Sequence, residues 1–265
     1  MTQNERPPAR ALTESHALIV GGTAGVGLAT AIQFALAGSP GIALVGRNAE
    51  RGRQACAEVR LHAPAARVEY ISGDANDPAQ AAQAAEKARQ YLGRVDVLVN
   101  STVAAIVPRL LQDTPIEDIT SMLLGQMLAP LLMSRIVLPW MREQRGGLIV
   151  NIASDAGKLA TPGESVIGAA MAGIMMFSRT LAMEAKRDGI RVNTLTPSLI
   201  EGTLTYDRVT RDGFSAKLFE KAARMASLGL TQPEDLAHLI LFLARPEAAR
   251  ITGQTISPNG GISAA

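Results

Sequence analysis

Short runs rich in apolar and β-branched residues alternate along the chain with longer segments in which apolar residues recur at helical spacing. The short runs are HALIVGG, GIALVGR, RVEYISG, VDVLVN, GGLIVNIAS and IRVNTLTP, and alanine-rich segments such as ATAIQFALAG and AEKARQYLG lie between them. Strands that are apolar throughout are typical of parallel sheets covered by helices on both faces. The pattern therefore predicts a doubly wound α/β fold with right-handed crossovers.

This alternation continues from residue 16 to residue 265 without a repeat, a linker or a break in composition, which predicts a single domain. The chain has 265 residues, 47% of them hydrophobic, which is enough for one sizeable core. Residues 1–15 carry charges and two prolines but no apolar segment of the kind found in signal peptides. A flexible N-terminal arm is expected there.

The longest apolar stretch, ITSMLLGQMLAPLLMSRIVLPW at 119–140, raises the question of a membrane span. A proline at position 130 and four polar residues interrupt it: Ser121, Gln126, Ser134 and Arg135. Such interruptions favour a helix buried on two sides of a soluble protein. The single cysteine, Cys56, fits a reducing cytoplasm, while a net charge of +2 and 3% aromatic residues give no reason to expect a nucleic-acid partner.

A glycine motif, IVGGTAGVG, ends the first predicted strand and begins the first predicted helix. Gly21 permits a tight turn, Gly25 lets the backbone approach a pyrophosphate, and Gly27 allows close packing of the helix. The free N–H groups and the positive dipole end of that helix then face the anion. At this position in an α/β chain, the motif predicts a dinucleotide site.

Several further motifs make the chain resemble a classical short-chain dehydrogenase/reductase, a Rossmann-type family, over nearly its whole length. They are SGDAND with Asp74 and Ala75, NSTV beginning at Asn100, NIAS ending at Ser154, RVNTLTPS with Ser198 in place of glycine, and PEDLAHLILFLARPEAARITGQTISPNGG. The resemblance implies alcohol or carbonyl oxidoreduction with NAD or NADP. The cofactor contacts that it implies, together with Arg47 discussed next, are Gly21, Thr23, Gly25, Val26, Gly27, Asp74, Ala75 and Asn100.

The end of the second predicted strand, LVGRN, bears on the choice of cofactor. NAD-preferring domains place a carboxylate there for the ribose 2′-hydroxyl. This chain has Gly46 followed by Arg47, whose guanidinium can bind a 2′-phosphate in bidentate fashion. NADP is therefore favoured over NAD, the alternative being that Arg47 is a solvated surface arginine.

The resemblance implies four catalytic positions: a serine, a tyrosine, a lysine four residues after it, and an upstream asparagine. Ser154 retains the serine, whereas Ile167 and Met171 stand in place of the tyrosine and lysine, and Gln126 in place of the asparagine. None of the chain's tyrosines has a lysine four residues later; they are Tyr70, Tyr91 and Tyr206. Since general acid–base catalysis contributes about 10²–10⁴-fold, efficient chemistry by the family route is not expected.

Three other side chains are candidates for a substitute proton donor. Lys158 follows Ser154 by four residues, Glu164 precedes Ile167 by three, and Tyr206 lies in a segment, 198–226, that covers the substrate in this family. Each also has an ordinary interpretation: a solvated loop lysine, a helix N-terminal carboxylate and a packing aromatic. Ser154 also has an ordinary interpretation, as a strand-end cap.

The segment 198–226 also contains Leu204, Phe214 and Leu218, which suggests a partly apolar ligand. The three histidines (His16, His62 and His238) form no metal-binding pattern.

Eight of the ten methionines fall in two predicted helices, 116–143 and 163–187. In short-chain dehydrogenases these two helices form a four-helix bundle between paired subunits, and methionine suits either an adaptable interface or an irregular core. A homo- or hetero-oligomer through these helices is therefore expected. Substituting Met175 and Met176 by aspartate is predicted to split it.

Three hypotheses about function follow. The chain is a non-catalytic or impaired subunit paired with an intact short-chain dehydrogenase, as in a family member that acts on hydroxyacyl-CoA intermediates of anaerobic toluene breakdown. Alternatively, it is an active NADP-dependent oxidoreductase with a non-standard proton donor. Third, it is a binding protein that senses the cofactor. The missing tyrosine and lysine favour the first hypothesis.

Overall fold

Seven strands form one parallel sheet in the order β3-β2-β1-β4-β5-β6-β7 in the computed structural model, which describes residues 9–211 and 213–264. The strands are β1 (Ala17–Val20), β2 (Ile42–Gly46), β3 (Val68–Ser72), β4 (Val97–Asn100), β5 (Gly147–Ile152), β6 (Ile190–Leu195) and β7 (Thr255–Ile256). The helices are α1 (Gly25–Leu36), α2 (Ala49–His62), α3 (Pro78–Leu92), α4 (Ile116–Glu143), α5 (Ser165–Ala185), α6 (Leu204–Thr210), α7 (Gly213–Met225) and α8 (Pro233–Ala244). The predicted doubly wound α/β fold is confirmed.

Both faces of the sheet are covered, which explains why its central strands are apolar throughout. Because side chains alternate along a strand, Ile19 of β1 packs in a core with α1, α2 and α8. Its neighbour Leu18 packs in a second core with α3, α4 and α5. Local sequence signals set the helix ends: Asn48 and Asp77 accept hydrogen bonds from backbone N–H groups at the starts of α2 and α3.

Helix α4 has the predicted bounds, 116–143, and contains the apolar stretch 119–140. By length and composition alone, Ile116–Glu143 and Ser165–Asp188 are long and apolar enough to cross a membrane. In the fold, α4 instead lays Met133, Val137 and Met141 against the sheet, although only 33% of its most apolar 18 residues are buried. Within one protomer the buried residues of α4 form a single stripe, so burial on a second side stays a prediction.

The packed part of the chain begins before residue 16. Within the predicted arm 1–15, residues 1–8 lie outside the described residues, but Leu12 begins a short 3₁₀ turn and is buried. Arg10 and Arg94 both approach the buried carboxylate of Asp96, at 3.5 Å and 2.6 Å respectively. These contacts hold residues 10–15 against the N-terminal end of the sheet.

Candidate functional site

The glycine motif forms a tight turn between β1 and α1. A Cβ added at Gly21 would lie 2.4 Å from the carbonyl oxygen of Ser101, and one added at Gly27 would lie 2.3 Å from the carbonyl oxygen of Gly21. Both glycines are therefore required by close backbone approach. At Gly25, which has a φ of 49°, a Cβ would meet only the side chain of Thr203, at 3.3 Å, so no backbone lies against the turn on that side.

The first turn of α1 fits a phosphate group. Its N-cap residue, Ala24, provides no side-chain hydrogen bond to the helix, so the first N–H groups are not satisfied by a cap. Together with the positive end of the helix dipole, they form a site to which an anion can bind. This is the position at which the sequence predicts a pyrophosphate. Val26, another of the predicted cofactor contacts, is buried in the first turn of α1.

The structure brings together the side chains that the sequence assigns to the adenosine end of a dinucleotide. Arg47 is 71% exposed, and its Nη1 lies 3.8 Å from Oδ2 of Asp74. The methyl group of Thr23 lies beside Gly46, while Ala75 is buried directly after Asp74. The sequence analysis did not identify Tyr70. Its hydroxyl donates to the carbonyl oxygen of Gly46 at 2.8 Å and supports the carboxyl end of β2.

Asn100, at the end of β4, lies in a buried polar chain. Its Nδ2 donates to Oδ1 of Asn151 at 2.8 Å, and Nδ2 of Asn151 donates to Oγ of Ser178 at 2.8 Å. Ser178 in turn donates to the carbonyl oxygen of Ile174. The Asn100 side chain therefore ties β4 to β5 and α5 through Nδ2, while its Oδ1 is enclosed and has no partner.

Apolar residues occupy the predicted tyrosine and lysine positions. Ile167 and Met171 are 8% and 6% exposed. They pack in a group that we call the site cluster, which consists of Ala153, Ile167, Met171, Ile174 and Met175. The side chains of Ile106 and Met127 pack against it. No member of the site cluster has a side chain that exchanges a proton, so general acid–base chemistry must come from outside it.

The polar side chains at the other two catalytic positions, the retained Ser154 and the substituted Gln126, have partners within the fold. The hydroxyl of Ser154 accepts a hydrogen bond from the N–H of Ala156 at 3.2 Å and caps the short turn that follows β5. Oε1 of Gln126, which is buried, accepts from the N–H of Ala104 at 3.2 Å. Gln126 thus holds the loop after β4 in place. These contacts match the strand-end capping that is the ordinary interpretation of Ser154.

Lys158 belongs to a buried network and not to a solvated loop. Its side chain is 12% exposed, and Nζ lies 3.4 Å from Oδ1 of Asp155 and donates to the hydroxyl of Ser257. The other oxygen of Asp155 accepts from Asn259 at 2.6 Å and from Ser263 at 2.9 Å. The interpretation of Lys158 as a solvated lysine is therefore wrong, and the ammonium joins the turn after β5 to the C-terminal segment.

Glu164 lies at the N-terminal end of α5, where burial raises the pKa of its carboxyl group to about 7, against an opposing hydrogen bond with Thr161. The preceding residue, Gly163, accepts a hydrogen bond from the N–H of Arg109, and a Cβ added there would lie 2.5 Å from the ring of Phe214. The loop after β4 and helix α7 therefore cover this end of α5.

A cavity of about 220 Å³ lies beside this segment. Its lining residues come from the loop after β4 and from α7: Val107, Pro108, Arg109, Leu110, Asp113, Phe214 and Ser215. Tyr206 is half-buried on α6, and Leu204 and Phe214 are 56% and 45% exposed. The segment 198–226 thus presents apolar side chains, of which Phe214 lies beside Gly163.

Met175 does not lie on the outer face of α5. It is 5% exposed and belongs to the site cluster, with its methyl group against Gly157. Its predicted place in a subunit interface is wrong, because the helix turns by about 100° per residue and Met176 therefore points another way. Met176 and Met183 are 60% and 62% exposed and remain on the outer surface.

Comparison with known proteins identifies the family. A family model described as enoyl-(acyl carrier protein) reductase matches residues 21–263. The 3-oxoacyl-(acyl-carrier-protein) reductases FabG of Thermotoga maritima and Escherichia coli are each 32% identical to this chain; the alignments cover 92% and 93% of it, and 96% of each relative.

Solved structures of reductases have the same fold as this chain. Levodione reductase superposes with a TM-score of 0.86 at 26% identity, covering 93% of this chain and 96% of its own. YwfH, an NADPH-dependent reductase of bacilysin biosynthesis, gives 0.86 at 25% identity, with coverage of 95% and 99%. The fold, the glycine turn at the first crossover and these similarities lead to one conclusion: the chain belongs to the classical short-chain dehydrogenase/reductase family.

Proposed function

We propose that this chain is an impaired or non-catalytic member of the family that acts as a subunit beside an intact dehydrogenase of the same fold. One observation carries the proposal. The positions that the resemblance assigns to the proton-transferring tyrosine and its lysine hold Ile167 and Met171, which are packed in the site cluster. An apolar cluster neither lowers the pKa of a phenol nor supplies a proton, so the family reaction lacks its acid.

The chemistry of the assembly is oxidoreduction at an alcohol or carbonyl carbon, with NADP favoured as the cofactor. Relatives named as reductases of 3-oxoacyl carriers and a relative named as NADPH-dependent support this class. When bound, such a cofactor supplies or accepts hydride. Arg47 and the uncapped start of α1 support binding of its phosphates, because both present donors to an anion.

The outer faces of α4 and α5 are proposed as the partner surface. Leu124 on α4 is 46% exposed, and it joins Met176 and Met183 on α5 as large apolar side chains that a lone protomer leaves in water. Covering such a face stabilises an oligomer, whether the second protomer is another copy or an intact relative. We place this assembly in the cytoplasm as a soluble complex.

Native mass spectrometry of the complex purified from its own cells tests the proposal. We expect a second dehydrogenase chain, with its tyrosine and lysine intact, in a fixed ratio to this one. The isolated chain should reduce a panel of ketones slowly or not at all. A homo-oligomer whose turnover matches that of ordinary family members, and is abolished by Ser154→Ala, contradicts the proposal.

An active oxidoreductase with Glu164 as the proton donor is the second candidate, because the pKa of this buried carboxyl is raised to about 7. A donor is active while protonated, so ketone reduction by the isolated chain should fall as pH rises through about 7. Glu164→Gln keeps the shape and removes the proton. It should abolish the activity, whereas Glu184→Gln on the exposed side of α5 should not.

The pH dependence of the free energy of unfolding reports the pKa of the Glu164 carboxyl group independently of turnover. Since the folded pKa lies above the unfolded value of 4.5, the native state holds more protons between these two pH values, and stability falls as pH rises from about 4.5 to 7. Chemical denaturation of Glu164→Gln should lack this fall. If the two pH profiles are parallel, the raised pKa does not exist and the second candidate fails with it.

A further inference from the structure

We infer that the chain binds a dinucleotide almost entirely through its adenosine half, so that an adenosine nucleotide carrying 2′- and 5′-phosphates is as good a ligand as complete NADPH. The inference rests on the proposed function, because the same apolar substitutions underlie both. In an ordinary dehydrogenase, nucleotide binding and hydride chemistry occur in the same site. In this chain, we expect binding of the adenosine nucleotide without the hydride chemistry.

The sheet topology sets where each half of a dinucleotide would lie. Ligands of open parallel sheets bind at the carboxyl ends of the strands, at the point where the strand order reverses. Here the order reverses between β1 and β4. One nucleotide therefore lies towards β2 and β3, and the other lies towards β4 and β5, with the pyrophosphate on the turn between β1 and α1.

The side towards β2 and β3 retains groups that bind phosphate. The guanidinium of Arg47 is 71% exposed, and its only ion pair among the described residues, with Asp74, is long at 3.8 Å. A 2′-phosphate can therefore engage Arg47 without breaking a buried contact. The uncapped N–H groups at the start of α1 are available to the phosphate on the 5′ position in the same way.

On the other side, the polar side chains that the family motifs place near the cofactor each have one partner within the fold. Asn100 donates to Asn151, Ser154 accepts from Ala156, and Gln126 accepts from Ala104. Oδ1 of Asn100 and the hydroxyl of Thr102 have no partner, but both atoms are fully enclosed, so a ligand reaches neither of them in this structure.

What remains on this side is the site cluster, with Ile167 and Met171 in place of hydrogen-bond donors. Sugar hydroxyls brought against such a surface give up hydrogen bonds to water and gain none in return. The contact area of the second nucleotide offsets this loss only in part. The second half of the dinucleotide should therefore add little to affinity.

Isothermal titration of the full chain with NADPH, 2′,5′-ADP (adenosine with one phosphate at each of these two positions) and 5′-AMP tests the inference directly. We expect the Kd values of NADPH and 2′,5′-ADP to agree within about threefold, and 5′-AMP to bind about tenfold more weakly because it lacks the phosphate for Arg47. NADPH binding more than about thirtyfold tighter than 2′,5′-ADP overturns the inference. Absence of any binding by 2′,5′-ADP overturns it as well.

Substitutions at Arg47 and Met171 test the two sides of the nucleotide site separately. Arg47→Ala should weaken NADPH and 2′,5′-ADP by the same factor, and unequal factors count against the inference. Met171→Lys should strengthen NADPH alone, with Met171→Leu as the matched control. Turnover measured on the same preparation separates the two proposals. NADPH binding more than about thirtyfold tighter than 2′,5′-ADP, without turnover, overturns only this inference, whereas turnover by the isolated chain overturns only the proposed function.

Discussion

The double substitution Ile167→Tyr with Met171→Lys is expected to raise carbonyl reduction by the isolated chain at least 100-fold, within the range of about 10²–10⁴-fold that a positioned acid contributes. That gain corresponds to about 2.7 kcal/mol of barrier. Both positions lie on one face of α5, four residues apart, so the phenol and the ammonium would be neighbours and the cation would lower the pKa of the phenol. NADPH oxidation in the presence of a 3-oxoacyl thioester and of small ketones measures the effect.

The matched control is Ile167→Phe with Met171→Leu, which fills similar space without a hydroxyl or an ammonium. It should show no gain. If the tyrosine–lysine variant folds and binds NADPH but remains as slow as wild type, then the missing side chains are not what limits the reaction. The proposal of a chemically impaired subunit would then have to rest on some other part of the site.

Gly21→Ala is expected to lower the free energy of unfolding by about 3 kcal/mol or more and to abolish nucleotide binding. Two effects add. Gly21 has a φ of 78°, a conformation that costs an L-residue about 1–2 kcal/mol, and the new Cβ would lie 2.4 Å from the carbonyl oxygen of Ser101. Since backbone atoms on both sides would have to move, the turn that faces the pyrophosphate would be distorted. Chemical denaturation and titration with 2′,5′-ADP measure the two losses.

Gly202→Ala is a close control for this prediction. Gly202 has a φ of 75°, but a Cβ there would meet nothing within 4 Å. It should therefore show the conformational cost alone, about 1–2 kcal/mol, and leave nucleotide binding intact. Equal destabilisation by the two alanines would show that the close approach to Ser101 is relieved at no cost.

The fold could be predicted because its signals are local. Runs such as ALIV of β1 are apolar at every position, and Asn48 and Asp77 occupy helix starts that the chain marks within a few residues. The glycine turn could be predicted for the same reason. Its function depends on consecutive residues, and its position after the first strand removes most of the ambiguity.

The parts of the site that were missed depend on contacts between distant residues. The interpretation of Lys158 as a solvated lysine fails because its partner Ser257 is 99 residues further along the chain, and nothing near Lys158 in the sequence indicates that partner. Tyr70, which supports Gly46, is a similar case. Met175 differs, since Ile167, Met171 and Met175 follow one another at intervals of four residues. That spacing is a signal for a shared face of α5, and it could have separated Met175 from Met176.

The contacts of Asp155 join a distant part of the chain to the site. Asn259 and Ser263 donate to a carboxylate that is only 4% exposed, and this carboxylate belongs to the turn after β5 that Ser154 caps. A substitution at residue 259 or 263 that removes a donor therefore acts on the turn beside the site, although more than 100 residues separate the two in the sequence.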